Sequence, residues 1–285
     1  MPSIADMLRD AAAQLETVSE TPRLDAELLM AHALDVDRGT LLLNHMQQAT
    51  PHIFGALLLR RLAHEPVAYI TGEAEFWSLP LQVTPDVLIP RNDSETLIAA
   101  ATAHFRGKAP RHILDLGTGS GALLLAALSE WPQAQGLGLD RSAAALGIAK
   151  DNAARLQLAD RAQFRRFDWT GADAWSTLDR HFDLILCNPP YVEEHAQLAP
   201  QVRDYEPHQA LFAGSDGLDD YRRLIPELHR LLTDCGIAIF EIGATQSEAV
   251  GKIARESGFI SHLRHDLAGH PRALLLVAHN DSSSL

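Results

Sequence analysis

The segment Ile113-Leu114-Asp115-Leu116-Gly117-Thr118-Gly119-Ser120-Gly121 is the most informative about the fold, because it combines the signals of a strand, a turn and a helix. Apolar residues in 113–116 predict a buried strand, and the leucine-rich run from position 123 predicts a helix. The three glycines between them allow backbone dihedrals that side chains forbid and let a ligand approach closely. An ordinary strand-to-helix turn has the same features, so the loop alone indicates a ligand site only weakly.

The glycine spacing and the next strand narrow the class of ligand. The dinucleotide fingerprint Gly-x-Gly-x-x-Gly is not met, because position 122 is Ala. Asp140 ends the following apolar run, where a carboxylate can accept hydrogen bonds from both hydroxyls of a ribose. A capping aspartate would suit the same position, but the glycine loop and Asp140 together indicate a nucleoside ligand.

Apolar runs alternate with helical stretches through the rest of the C-terminal part of the chain. This order indicates a doubly wound α/β fold, in which helices cover both faces of a mostly parallel sheet. The connection between the runs 259–263 and 273–278 is too short for a crossover, so we expect an antiparallel hairpin at one sheet edge. The predicted parallel strands are 112–116, 137–140, 164–168, 184–187 and 237–242.

The N-terminal part has a different pattern. Apolar residues recur at helical spacing from position 4 to about 65 and predict about four short helices. Aromatic and β-branched residues then follow up to position 90, with glycine and prolines among them, which is typical of a hairpin-bearing linker. We therefore expect a helical domain at 1–70, a β-hairpin linker at 71–92 and an α/β domain at 93–285.

Composition excludes several classes of function. Lysine and arginine number 24 against 37 acidic residues, a balance of −13, so no overall basic field exists to hold nucleic-acid phosphates. Cys187 and Cys235 are the only cysteines and make neither a disulfide framework nor a zinc spacing, which favours a reducing compartment. Fourteen histidines show no ligand spacing, so we expect no metal. Without a signal peptide or a membrane span in the sequence, we expect a cytoplasmic protein.

A second loop carries the chemistry. The apolar run 182–187 leads directly into Asn188-Pro189-Pro190-Tyr191, and ligands in open α/β sheets bind beyond the carboxyl ends of strands. The Asn188 carboxamide and the Pro189 carbonyl can accept both hydrogens of a planar NH2 group, and Tyr191 offers a face for stacking. Such a grip would turn the lone pair of a glutamine amide or an adenine amine toward an electrophile. A plain surface turn is the alternative, because Asn and Pro are turn residues.

Further segments extend the pattern along the chain: 85–91, 205–207 with 210–212, 216–218 with 221–224, 240–243, and 266–269 with Arg272. Together with the glycine loop and the Asn-Pro-Pro-Tyr loop, they resemble the HemK/PrmC family of peptide chain release factor N5-glutamine methyltransferases. The resemblance covers nearly the whole chain.

This resemblance implies a Rossmann-like class I methyltransferase domain that uses S-adenosyl-L-methionine and releases S-adenosyl-L-homocysteine. It implies methylation of the side-chain amide nitrogen (N5) of the glutamine in the Gly-Gly-Gln motif of class-1 release factors, with the N-terminal helices recognising that protein. We expect neither stable nucleic-acid binding nor membrane association. By position, the cofactor residues are Gly117, Thr118, Gly119, Ser120, Gly121, Asp140, Trp169 and Asn188, and the catalytic and glutamine-binding residues are Asn188, Pro189, Pro190 and Tyr191.

The residues themselves bear on this resemblance at two places, Trp169 and the segment after Pro90-Arg91. Trp169 stands at a predicted strand end, where an indole can pack against adenine, although simple packing would explain it equally well. After Pro90-Arg91 the family usually has proline, an acidic residue, threonine and glutamate, whereas this chain has Asn92-Asp93-Ser94-Glu95. Ser94 is a mild change, and Asn92 is expected to loosen the turn into the helix.

Other functions remain open at this level. Methylation of adenine N6 in DNA would use the same loop, but it requires base flipping and phosphate anchoring. Methylation of a glutamine in a ribosomal protein would use the same amide chemistry, although the helical N-terminal part and 89–91 fit the release-factor enzymes better. A catalytically silent binding module is a third possibility, against which the intact Asn188 argues.

Overall fold

Helices follow one another between Ile4 and Thr71, as the apolar spacing predicts. The computed structural model describes residues 2–171 and 174–279. One more helix is present than the four expected, because a short turn of helix forms between Pro66 and Gly72, whose φ of 77° ends it. The five helices are α1 (Ile4–Leu15), α2 (Pro22–Leu34), α3 (Arg38–Asn44), α4 (Phe54–Leu62) and α5 (Val67–Thr71).

These helices pack around a core of their own. Leu8, Leu29 and Phe54 are buried together in it. Full burial of one such side chain stabilises the fold by roughly 1.5–3 kcal/mol. The apolar residues at helical spacing therefore pack into one shared core.

This helical unit comprises Met1–Glu73 and also Leu198–Glu206, which carries α9 (Pro200–Tyr205). Buried Arg61 forms an ion pair with Asp25 at 2.7 Å and donates to Gln201 at 3.3 Å. The Tyr205 hydroxyl donates to the carbonyl of Ala63 at 2.8 Å. The sequence pattern predicted 198–206 as part of the α/β domain, since contacts between residues about 140 positions apart leave no local signal.

The second unit, Ala74–Gln197 with Pro207–Leu285, holds a two-stranded hairpin and a seven-stranded sheet. A short 3₁₀ turn at Asn92–Ser94 leads into the first of its larger helices. The strands are β1 (Glu73–Phe76), β2 (Leu79–Gln82), β3 (His112–Leu116), β4 (Gln135–Asp140), β5 (Ala162–Arg166), β6 (Phe182–Cys187), β7 (Leu232–Glu241), β8 (Phe259–His265) and β9 (Pro271–Ala278). The helices are α6 (Glu95–His104), α7 (Ala122–Glu130), α8 (Ala143–Arg155), α10 (Asp219–Leu224) and α11 (Ser247–Glu256).

The large sheet has the order β5-β4-β3-β6-β7-β9-β8. The first five strands in this order are parallel to their neighbours, whereas β9 is antiparallel to both β7 and β8. The predicted parallel sheet with an antiparallel hairpin at one edge is thus confirmed. Because β3, β4 and β6 run side by side in one direction, the loops that follow them meet at one edge of the sheet.

Alternate residues of each central strand enter two apolar clusters, one on each face of the sheet. Leu184 and Leu186 of β6 pack in one cluster with α6 and α7, and Ile185 and Cys187 pack in the other with α10 and α11. This burial on both faces explains why β6 reads as a continuous apolar run. None of the helices in the described ranges is both long enough and apolar enough to cross a membrane.

Candidate active site

A pocket lies beyond the carboxyl ends of the parallel strands. It is lined by the loops after β3, β4, β5 and β6, so the fold brings together segments far apart in the sequence. Most of the sequence-predicted site residues line it: Gly117, Thr118, Gly119, Ser120, Asp140, Trp169, Asn188 and Pro190. The sequence pattern predicts no site role for several other residues that line the pocket, among them Phe76, Leu88, Leu123, Phe212, Asp220 and Arg223.

The glycine loop has the conformation that its sequence requires. Gly117, Gly119 and Gly121 have φ values of 75°, 53° and 86°, in the left-handed region that side chains rarely adopt. A Cβ on Gly117 would also lie 3.4 Å from the indole of Trp169. The backbone N–H groups of Gly117 and Thr118 both donate to the carbonyl of Leu139, at 2.8 and 2.9 Å, which fixes the start of the loop against β4.

Asp140 is held in place by the backbone. One carboxylate oxygen accepts the N–H of Gly119 and the other that of Ser142, both at 2.9 Å. Each oxygen has a second lone pair, so the side chain can still accept a pair of hydroxyl groups. The Asp140 carboxylate, which the sequence predicts to bind a ribose, is therefore oriented in part by the glycine loop.

Trp169 is fixed by a partner that sequence reasoning missed. Its indole Nε1 donates to Asp220 Oδ1 at 2.9 Å. Asp220 is buried, and Arg223 lies 3.5 Å from the same carboxylate oxygen. The only available signal was its position just before the family-like segment 221–224. A buried acid that grips the indole holds a flat apolar face toward the pocket.

The Asn-Pro-Pro-Tyr loop is divided between the pocket and the protein interior. Asn188 and Pro190 line the pocket, whereas Pro189 is buried. Tyr191 points its hydroxyl at Glu241, to which it donates at 3.2 Å, and it is not among the lining residues. Gln246 Nε2 donates to the Tyr191 carbonyl at 3.1 Å and so holds the end of the loop.

Two buried carboxyl groups lie next to side chains that line the pocket, Asp115 next to Thr118 and Glu241 next to Ser94. Burial raises the pKa of Glu241 to about 7, although hydrogen bonds from the hydroxyls of Ser94 and Tyr191 and the positive charge of Arg272 oppose this. Burial likewise raises the pKa of Asp115 to about 7, although Thr118 Oγ1 donates to it at 2.6 Å. Burial also raises the pKa of the Cys187 thiol, which disfavours the thiolate that a nucleophile needs.

Asn152 is a further residue that sequence reasoning did not find. It is fully buried on α8, and its Nδ2 donates to the carbonyls of Ser120 and Gln82, at 2.9 and 3.0 Å. Its Oδ1 accepts the N–H of Gln82 at 2.7 Å. The side chain thus joins the glycine loop to strand β2. Within the described part of the chain, no group of three or more His, Cys, Asp or Glu side chains could hold a metal ion.

Comparison with known proteins gives matches along both parts of the chain. The family described as PrmC N-terminal domain matches residues 6–72, and the family described as Methyltransferase small domain matches 93–204. The Release factor glutamine methyltransferase of Caulobacter vibrioides is 38% identical, covering 95% of this chain and 93% of that protein. The protein of the same name from Vibrio cholerae is 41% identical, with 96% of each chain covered.

A solved methyltransferase structure from Pyrococcus furiosus shares the fold, with a TM-score of 0.50 and 15% identity over 79% of this chain and 97% of that one. At this identity the likeness concerns the fold alone. The predicted class of fold, a Rossmann-like methyltransferase domain preceded by helices, is confirmed.

Proposed function

Because this chain belongs to the family of release factor glutamine methyltransferases, we propose that it methylates the N5 amide nitrogen of the glutamine in the Gly-Gly-Gln motif of class-1 release factors. The observation that carries the proposal is the shared pocket, in which Asn188 and Pro190 of one loop meet the glycine loop, Asp140 and Trp169. The Asn-Pro-Pro-Tyr loop provides acceptors for a planar amide. The glycine loop, Asp140 and Trp169 provide surfaces for a nucleoside.

The pocket residues fit S-adenosyl-L-methionine as the methyl donor. Asp140 would accept the ribose hydroxyls, and Trp169 would pack against the adenine. Gly117 leaves open the space that a Cβ would fill next to that indole. When bound, the cofactor supplies an electrophilic sulfonium methyl group, and S-adenosyl-L-homocysteine is the product.

The protein's own contribution to the reaction is the handling of the amide. An amide nitrogen is a poor nucleophile because its lone pair is delocalised into the carbonyl group. Acceptors at Asn188 and the Pro189 carbonyl would fix both N–H bonds and thereby set the direction of the lone pair. Holding the nitrogen in this geometry serves the transition state more than the ground state.

The charge balance and the relatives together favour a release-factor glutamine over the alternative substrates. Adenine in DNA would require phosphate anchoring, for which the balance of −13 is unfavourable. A ribosomal-protein glutamine would use the same amide chemistry, but the high-coverage relatives described above carry the release-factor name. The same relatives argue against a silent binding module.

We further propose that the helices of residues 1–70 recognise the release factor, because a single glutamine side chain offers too little surface for selection. The exposed leucines of this part, Leu43 at 83% and Leu59 at 68% exposure, are apolar side chains available for such contacts.

A transfer assay tests the proposed activity. The protein is incubated with methyl-labelled S-adenosyl-L-methionine and a class-1 release factor, and the label is located by mass spectrometry. We expect label on the Gly-Gly-Gln glutamine and none in a release factor with that glutamine replaced by alanine. We expect Asn188→Ala to lower kcat by about a hundredfold or more. Label that persists in the alanine substrate would contradict the proposal.

A further inference from the structure

A chain of polar side chains leads from Asn188 into the interior of the α/β unit. Asn188 Nδ2 donates to Ser94 Oγ at 3.4 Å. The Ser94 hydroxyl in turn lies close enough to Glu241 to lower the pKa of that carboxyl group by hydrogen bonding. Because Tyr191 donates to Glu241 Oε1, the same glutamate contacts both ends of the Asn-Pro-Pro-Tyr loop, directly at one end and through Ser94 at the other.

The burial of these groups is costly and is not explained by stability. Ser94 is 3% exposed and Glu241 only 1%. Oε2 of Glu241 has no hydrogen-bond partner of standard geometry among residues 2–171 and 174–279. Taking a carboxyl group out of water costs several kcal/mol, and apolar replacements of buried charged groups are often neutral or stabilising. The glutamate therefore requires a functional explanation.

In its ionised form, Glu241 sets the direction of every hydrogen bond in this chain of side chains. A carboxylate can only accept, so the hydroxyls of Ser94 and Tyr191 must both donate to it. The Ser94 oxygen is then left as an acceptor, and Asn188 must present its NH2 group to that oxygen. The carboxamide oxygen of Asn188 consequently remains free to accept an N–H bond.

Charges around Glu241 act in both directions on its ionised form. The guanidinium of Arg272 favours it, and the carboxylate of Asp93 opposes it. Arg272 lies 2.8 Å from Asp93 and 3.3 Å from Asp266, so the positive charge is itself shared between two acids.

We propose that Glu241 and Ser94 are positioning residues that hold the Asn188 carboxamide with its oxygen toward the substrate amide. The inference rests on the proposed function, in which that oxygen accepts an N–H of the glutamine. Glu241 does not line the pocket, whereas Ser94 lines it beside Asn188, and in this proposal both act through Asn188.

Steady-state kinetics with a release factor test the proposal, together with cofactor affinity by calorimetry. Ser94→Ala removes the linking oxygen, and Glu241→Gln places an amide donor where the carboxylate accepts. We expect each to lower kcat by about tenfold to a hundredfold, as a misaligned catalytic group does. We expect KM and cofactor affinity to stay within about twofold, since uniform binding is not affected. Ser129→Ala, which removes a hydroxyl bonded to a helix carbonyl, is the matched control.

Two further results separate positioning from simple structural support. Ser94→Thr retains the hydroxyl and should restore most of the turnover lost in Ser94→Ala. The double variant should be no slower than the slower single variant, because both substitutions break one chain. Wild-type kcat in both single variants, or a product of two independent losses in the double variant, would overturn the proposal. Wild-type protein that fails to label the glutamine would instead refute the proposed function.

Discussion

At the scale of single residues, the site depends on acidic side chains whose partners differ. Asp140 is bound by two backbone N–H groups and Asp220 by an indole, whereas Asp115 and Glu241 each keep one oxygen without a partner among the described residues. The first pair acts as hydrogen-bond acceptors, whereas burial raises the pKa of each carboxyl group of the second pair to about 7. The hydrogen bond of Asp220 can be tested by cofactor affinity, and the raised pKa of Asp115 can be tested by the pH dependence of unfolding.

The bond between Asp220 and Trp169 is expected to support cofactor binding. Asp220→Ala frees the indole and should weaken binding of S-adenosyl-L-homocysteine by about fivefold, the value of roughly 1 kcal/mol for one hydrogen bond. Calorimetry measures this. Asp216→Ala, which breaks an exposed pair with Arg222, serves as the control and should leave the affinity unchanged. Equal losses in both variants would contradict the assigned role.

The raised pKa values predict how stability depends on pH. Asp115 and Glu241 rise from ordinary values of 3.8 and 4.5 to about 7, so the folded protein binds more protons than the unfolded chain in this window. The free energy of unfolding contributed by each group is therefore greatest below its ordinary value and is lost as the pH rises toward 7. The steepest slope is about 1.4 kcal/mol per pH unit for one group.

Urea unfolding of wild type and Asp115→Asn between pH 4 and pH 8 measures this contribution. The difference between the two proteins should change over the window, because all other groups, including His104 with its lowered pKa, are common to both. A difference that is constant with pH would show that Asp115 titrates at its ordinary value.

At the scale of elements, the Asn-Pro-Pro-Tyr loop is held in place by a neighbouring turn. Gly217 has a φ of 68°, and a Cβ there would lie 2.3 Å from the Tyr191 carbonyl oxygen. Gln246 donates to the carbonyls of both residues, at 3.1 Å to Tyr191 and 3.3 Å to Gly217. The turn and the loop therefore cannot move independently.

Gly217→Ala should displace the Asn-Pro-Pro-Tyr loop and lower kcat by about a hundredfold, the expected cost of a misplacement of about 1 Å. The folded state should persist, as judged by circular dichroism. Gly147→Ala is the control, because a Cβ on Gly147 meets nothing within 4 Å, and in the interior of α8 it should stabilise by about 0.5–1 kcal/mol. Retained turnover in Gly217→Ala would show that the loop adjusts.

Local pattern explains why most of the fold could be predicted and part of the site could not. Strands β3 and β6 are apolar runs that end at the two chemical loops, and sheet topology alone brings Asn188 to the glycine loop. By contrast, Ser94 and Glu241 come together across about 150 positions, and no spacing rule links them. The segment Asn92–Ser94 shows the limit of sequence patterns. Asn92 departs from the residue usual in the family, yet it is exposed. Ser94, the milder change, is the buried residue next to Asn188.

At the scale of the whole molecule, the chain folds as two units that are interleaved in sequence. The helical unit takes residues 198–206 from within the α/β part, so neither unit is one continuous segment. Truncation near position 70 would therefore remove most of one unit and leave α9 without its partners. Substitutions on the surface are a better test of substrate recognition than truncation.

Leu43→Ser combined with Leu59→Ser should raise KM for a full-length release factor by about tenfold, the effect of losing roughly 1.4 kcal/mol of contact energy. The kcat should be unchanged, and so should the kinetics with a short Gly-Gly-Gln peptide, which offers no surface for the helices. An equal effect on protein and peptide would contradict recognition by this unit.

The side chain of Asn152 links the backbone amide of Gln82 to the glycine loop, so that hydrogen exchange at this amide can report on the opening of that loop. The N–H of Gln82 can exchange with solvent only when its bond to Asn152 opens, and the same side chain holds the Ser120 carbonyl. If opening at Gln82 disrupts the glycine loop, saturation with S-adenosyl-L-homocysteine at about a hundred times its Kd should slow hydrogen exchange there by about a hundredfold. An unchanged rate would mean that strand β2 opens alone. Isotope exchange at this one amide would thus measure whether the hairpin and the nucleoside pocket form a single cooperative unit.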